Sequence, residues 1–244
     1  VCGTGGSSEG RLHTQDAELE IANLMERARR LVEDGRRAFL GIVGLPGSGK
    51  STLAERLLAE LSGTPPEGHE AGEWVAHLPM DGFHLATAEL ARLGLSSRRG
   101  APDTFDAAGY VALLRRLAAD TAEVVYAPSF ERSRGEPLAG RIAVTPAARL
   151  IITEGNYLLV DDPAWLPLRT VLDEVWFCAT DDQRRRRQLI ARHVAFGKTE
   201  AAAEAWADGV DQANCAIISR TSHLADLVVS EDVMSSLLLI AADA

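Results

Sequence analysis

The sequence predicts an α/β protein, a three-layer α/β/α sandwich around a central, mostly parallel sheet. Short apolar runs at 38–44, 150–153 and 175–179 have the length of buried strands. Segments with helical spacing lie between them, and strands alternating with helices build parallel sheets covered on both faces. The first run also feeds a glycine-rich turn that opens directly into a helical pattern.

In chain order, residues 15–34 place Leu19, Ile21, Leu24, Met25, Ala28, Leu31 and Val32 on one helical face, and Gly35 stops it. Residues 38–44 form a buried strand and 51–61 a helix. The stretch SGTPPEGHEAG at 62–72 is a loop by composition. A second strand covers 73–79, with Asp81 just past its end. Residues 85–93 are helical, 94–104 resemble a binding loop, and 106–119 form a helix on Val111, Leu113, Leu114 and Leu117. A short strand at 124–127 precedes a loop at 128–140, marked by Pro128, Gly135, Pro137 and Gly140, then an edge strand at 141–144. The run at 150–153 ends in Glu154-Gly155. Beyond the strand at 175–179 come a basic helix at 181–195, a helix at 201–214 and a late strand at 227–229. No internal repeat is present. Residues 1–14, Gly/Ser-rich, read as a flexible leader, and 15–244 as a single domain with a lid at about 184–200.

The chain has 244 residues, 46% of them hydrophobic, which suffices for one core without staples. A net charge of −10 argues against a general nucleic-acid binder. No apolar run reaches the ~18 residues of a membrane span. The three cysteines fit no zinc spacing, so a reducing cytoplasm is the expected location. Of 25 basic residues only Lys50 and Lys198 are lysines. Where arginine serves elsewhere, a lysine suggests that a compact ammonium is needed.

The strongest signal is Gly44-Leu45-Pro46-Gly47-Ser48-Gly49-Lys50-Ser51-Thr52, a full G-x-x-x-x-G-K-[ST] phosphate-binding loop between strand and helix. Its glycines let the backbone curl so that successive N–H groups point at phosphate oxygens. The positive end of the following helix adds to them. Lys50 is placed to reach the terminal phosphates, and the Ser51 hydroxyl to bind Mg²⁺. The loop specifies a nucleoside triphosphate and leaves open what is done with it.

Two carboxylates narrow the choice. Asp81 follows a strand at the carboxyl edge of the sheet, where ligands bind in such folds. It suits a base that takes the proton of a hydroxyl as the phosphoryl arrives; the plainer alternative is a helix cap. Glu154 ends an apolar run and suits the Mg²⁺ shell. Farther along, Arg184–Arg187, Arg192 and Lys198 form a basic segment. It reads as a solvated face or as a lid whose cations close on the phosphates. Four adjacent arginines cannot all face one ligand, so Arg192 is favoured, then Arg187 and Lys198.

Over about residues 36–230 the chain resembles the phosphoribulokinase, uridine kinase and bacterial pantothenate kinase group of P-loop kinases. The resemblance rests on GLPGSGKST, MDGFH at 80–84, RRGAPDTFD at 98–106, APSFERS at 127–133, IITEGNYLL at 151–159, and Arg192-His193 followed by Gly197-Lys198. Within the group it looks most like bacterial proteins labelled nucleoside-kinase-like or fructose-transport-system kinase. The resemblance implies Asp81 as catalytic base, Glu154 near Mg²⁺, Arg192 in the lid, and His84, Arg99, Phe130 and Arg132 in the substrate pocket. It also implies ATP as donor, a small-molecule acceptor and pairing into homodimers. The chain departs from uridine kinases at Arg98-Arg99-Gly100, where they carry an acidic residue for ribose. It departs again at His84 and Phe130, where they carry an aromatic and a tyrosine. The arginines at 98 and 99 suit an anionic substrate, the plainer alternative being ordinary surface cations. The competing class is a nucleotide-hydrolysing switch; the guanine-reading N-K-x-D and the transporter L-S-G-G-Q signatures are both absent.

Overall fold

The computed structural model describes residues 9–119 and 122–240. Its strands are β1 (Ala38–Gly44), β2 (Val75–Pro79), β3 (Val125–Glu131), β4 (Glu136–Val144), β5 (Leu150–Gly155), β6 (Glu174–Cys178) and β7 (Leu227–Val229). Its α-helices are α1 (Glu9–Arg30), α2 (Lys50–Ser62), α3 (Thr87–Leu93), α4 (Ala107–Ala119), α5 (Asp182–Ala195), α6 (Glu200–Trp206), α7 (Gln212–Ser219) and α8 (Glu231–Ile240). The leader expected at 1–14 runs into α1, which begins at Glu9; residues 1–8 lie outside the described residues.

Five strands make one parallel sheet in the order β2-β5-β1-β6-β7. Alternation along each strand divides its side chains between two cores. Phe39, Val43, Ile151, Val175 and Phe177 enter the core shared with α4. Ala38, Leu40, Ile42, Leu150, Ile152 and Trp176 enter the core shared with α1, α2 and α8. The α/β/α layering read from the sequence is therefore present. Among the described residues no helix is long and apolar enough to cross a membrane.

Two expectations are corrected. The stretch 128–140, read as a loop, is mostly strand: β3 and β4 pair antiparallel from Val125↔Val144 to Glu131↔Glu136 as a separate two-stranded sheet. Pro128 and Gly140 mislead because a hairpin outside the main sheet tolerates them; the register shifts between Ala127 and Ser129. The single helix expected at 201–214 is broken by a π-turn, Ala207–Asp211, between α6 and α7.

The hairpin packs on the 3₁₀ turn Met80–Phe83 that follows β2. A Cβ on Gly82 would lie 2.3 Å from the Pro128 carbonyl oxygen, a backbone atom that cannot swing aside. Gly82→Ala is therefore expected to destabilise by about 1–3 kcal/mol, as overpacking does. Thermal unfolding should show a midpoint several degrees lower, and an unshifted midpoint would contradict this packing.

Candidate active site

The register of the sheet gathers the chemistry at one edge. Pro79 pairs with Glu154, and Ile42 pairs with Glu154 from the other side. The carboxyl ends of β1, β2 and β5 thus deliver the phosphate loop, Asp81 and Glu154 to one place.

The loop is built as a cradle. Gly47 and Gly49 take φ of 83° and 88°, which side-chain-bearing residues rarely adopt. The amides of Gly47, Gly49, Lys50 and Ser51 have no partner among the described backbone hydrogen bonds, whereas Ser48 N–H turns inward to the Leu45 carbonyl at 3.0 Å. Gly44 allows the fully buried Ser48 hydroxyl to sit close, and that hydroxyl also lacks a partner. No acidic residue occupies the first turn of α2, so nothing within it neutralises its positive end. Unpaired amides and a bare helix terminus are what a phosphate would satisfy.

Lys50 is buried and donates to the Leu45 carbonyl at 3.1 Å. Burial pulls its amine below the ordinary lysine value, against the charge of Glu154. Glu154 is buried too and accepts from the Ser51 hydroxyl at 2.9 Å. Burial, then the charge of Asp81, pushes its carboxyl up, while Lys50 and Ser51 pull it down. Burial disfavours charge on both.

One cavity of about 450 Å³ joins this machinery to a second wall. Pro46, Lys50, Ser51, Asp81 and Glu154 line it, as do His84, Arg99, Phe130, Arg132, Arg192 and Lys198. Gly44, Leu45, Gly47, Ser48, Gly49 and Thr52, the rest of the motif, are not among its lining residues. Arg187 stands apart: it is exposed on α5 and does not line the cavity.

The second wall is aromatic and cationic. His84 stacks on Phe105 at 4.0 Å and meets Phe130 at 4.9 Å. Its Nε2 lies 3.8 Å from Asp81 Oδ1, too far for a hydrogen bond, and its buried Nδ1 has no partner. Burial lowers the imidazole's proton affinity, with Asp81 opposing. Toward the basic segment at 184–200, Arg132 faces the Phe196 ring at 6.0 Å, and Lys198 Nζ sits 4.3 Å over Trp206. Arg192 is exposed on α5, yet where it lines the cavity partial desolvation, then the charge of Arg132, draws its guanidinium below the ordinary value.

Several site residues escape sequence reasoning. Arg185, 2% exposed, is held by Asp182 and donates to the Pro46 carbonyl at 3.3 Å, tying α5 to the phosphate loop. His193 Nε2 meets Asp211 Oδ2 at 2.9 Å across the π-turn. Asn214 donates to the Gly100 carbonyl at 3.1 Å, the Tyr157 hydroxyl donates to the same oxygen, and together they pin the 98–106 loop. None of these contacts has a local sequence signal. They join elements 18 to 139 residues apart, except the Asp182 bond.

A phosphate cradle, a strand-end carboxylate and a second walled compartment in one cavity define the class: a P-loop α/β protein built for a nucleotide and a second ligand. The comparisons place it further. The Schizosaccharomyces pombe protein named "Putative uridine kinase C227.14" is 33% identical over 214 residues, spanning 85% of this chain and 89% of that one. "Uncharacterized protein YggC" of Escherichia coli is 34% identical over 90% of this chain and 91% of its own. A solved structure described as a "putative fructose transport system kinase" from Silicibacter sp. TM1040 is 36% identical, covering 86% of this chain and 98% of its own with a TM-score of 0.75. No protein-family model matches. The chain belongs to the P-loop kinase family that groups phosphoribulokinases, uridine kinases and bacterial pantothenate kinases.

Proposed function

We propose that the protein is an ATP- and Mg²⁺-dependent phosphotransferase that phosphorylates a hydroxyl group of a small metabolite: a sugar, a nucleoside or a pantothenate-like compound. The observation that carries this reading is the single cavity lined by both Lys50 and Asp81, with the His84–Phe130 wall beyond. Relatives named uridine kinase and pantothenate kinase support it.

On this reading the loop amides and Lys50 hold the terminal phosphates of ATP. The acceptor lies against His84 and Phe130, and Asp81 takes the proton from its hydroxyl as the γ-phosphoryl moves in line. Arg192 and Lys198 neutralise charge on the transferring group, and closure of the segment at 184–200 excludes water. Among the described residues no cluster of three or more His, Cys, Asp or Glu forms a metal cage. Mg²⁺ in such sites needs one or two hard oxygen ligands beside phosphates and waters, and the Ser51 hydroxyl and Glu154 carboxylate fit that. The ion would supply charge neutralisation on the phosphates. The expected setting is the cytoplasm, and the enzyme is expected to work as a homodimer, as the family resemblance implies.

The test is an ADP-release screen across a metabolite library, with mass detection of the phosphorylated product. At least one hydroxyl compound should stimulate ADP release and gain a phosphate. ADP release with no phosphorylated product would instead favour a hydrolysing switch.

A further inference from the structure

We infer that the acceptor carries an anionic group, a carboxylate or a phosphate, which seats on Arg99 with Arg132 at the rim of the same pocket. This rests on the phosphotransferase reading and names the acceptor class for its cavity.

The two neighbouring arginines have different fates. Arg98 faces solvent and pairs with Asp103 at 3.0 Å. Arg99 turns into the cavity. Its guanidinium donates to the Thr87 hydroxyl at 3.0 Å and to the Gly135 carbonyl, and lies 5.4 Å from the centre of the Phe130 ring. Three partners fix its position and none is a carboxylate. Those two bonds leave N–H donors on the same planar fork unused. Glu136 feels the charge of Arg99, but both its oxygens face the Thr87 N–H at 3.1 Å and it does not line the cavity.

Charge balance points the same way. Lys50, Arg99, Arg132, Arg192 and Lys198 line the cavity, and none of them makes an ion pair among the described residues. The lining carboxylates are Asp81, Glu154 and Asp211. Glu154 holds Ser51 and Asp211 holds His193. Lys50 and the lid cations suffice for a triphosphate tail. The hydrogen bonds and ring contact of Arg99 go to α3 and the β3–β4 hairpin, away from the phosphate loop. Its fork is oriented for a ligand on the acceptor side. A planar, fixed guanidinium discriminates for carboxylate or phosphate, with which it forms paired charge-assisted bonds. The His84 ring stacked on Phe105, with Phe130 tilted against it, offers a flat bed for the rest of the molecule.

The test compares matched hydroxyl compounds differing in one anionic group: glycerate with glycerol, pantothenate with pantothenyl alcohol, fructose 6-phosphate with fructose. Calorimetric binding to the full chain with a non-hydrolysable ATP analogue reads the preference without turnover, and ADP release reads it with turnover. The anionic member of at least one pair should be favoured about tenfold or more. Whether the carboxylate or the phosphate pairs show this separates the two chemistries. Arg99→Met, and Arg99→Gln, which keeps N–H donors without charge, should erase the preference by about 10- to 100-fold and leave ATP affinity intact. A merely structural Arg99 would weaken both members of each pair alike. Neutral members binding as well as anionic ones, no anionic member binding, or a preference that survives in both variants would overturn the inference. Charge preference in binding without phosphoryl transfer to any compound would overturn the phosphotransferase reading instead.

Discussion

Asp81→Asn is expected to lower kcat by about 10²- to 10⁴-fold, the range a positioned general base contributes. Affinity for ATP should stay near that of the parent. Asparagine matches aspartate in shape, so the turn at Met80–Phe83 and the wall it forms are kept, and only the ability to take a proton is lost. The competing role, a helix cap, has no support in the local geometry. The N-cap of that turn is Pro79, with no side-chain capping bond, and the N-cap of α3 is Ala86. Asp81 instead lines the cavity, its side chain 40% exposed. The measurement is steady-state ADP release with the true acceptor, beside calorimetric ATP binding. Equal kcat in variant and parent would remove Asp81 as the base.

Lys50→Ala is expected to cost about 10²- to 10³-fold in kcat, as losing one preorganised donor to a developing charge does, and to weaken ATP binding. Lys50 is 8% exposed under the loop, so no water or neighbouring side chain substitutes for it easily. Lys50→Arg should fare little better, because a planar fork does not fit where a compact ammonium reaches the Leu45 carbonyl. Folding should be largely spared: Glu154, already pushed up by burial and Asp81, can take a proton when its cation is gone. Calorimetry and thermal unfolding check both halves. Unchanged ATP affinity would count against the cradle, and a collapsed midpoint against the account of Glu154.

What the sequence reveals and what it hides follow from range. Strand β1, the phosphate loop, Asp81 and Glu154 are readable because each is a local pattern: an apolar run, a glycine spacing, an acid at a strand end. The hairpin at 128–140 is not, because proline and glycine mark loops and the extended backbone there depends on β3 meeting β4. The arginines of α5 are a middle case. Arg185, Leu189 and Arg192 stand four and then three residues apart, on one face of α5, and are respectively buried, buried and cavity-lining. Helical spacing groups Arg185 with Arg192 only once the side of α5 that meets the cavity is known; Arg187, ranked after Arg192 in the charge run, does not line that cavity. The His193–Asp211 and Asn214–Gly100 contacts exist only after folding.

The hairpin's separateness has one more consequence. The phosphate loop and Glu154 come from the five-stranded sheet, while the β3–β4 hairpin, a sheet of its own, carries Phe130 on β3 and Arg132 in its turn and presents the Gly135 carbonyl that steadies Arg99. On the proposed function, a lineage could therefore rewrite this appendage and acquire a new client molecule while the engine that handles ATP is inherited untouched. Grafting the hairpin of one relative onto another, with Gly82 retained as its seat, is the natural route to retargeting such an enzyme.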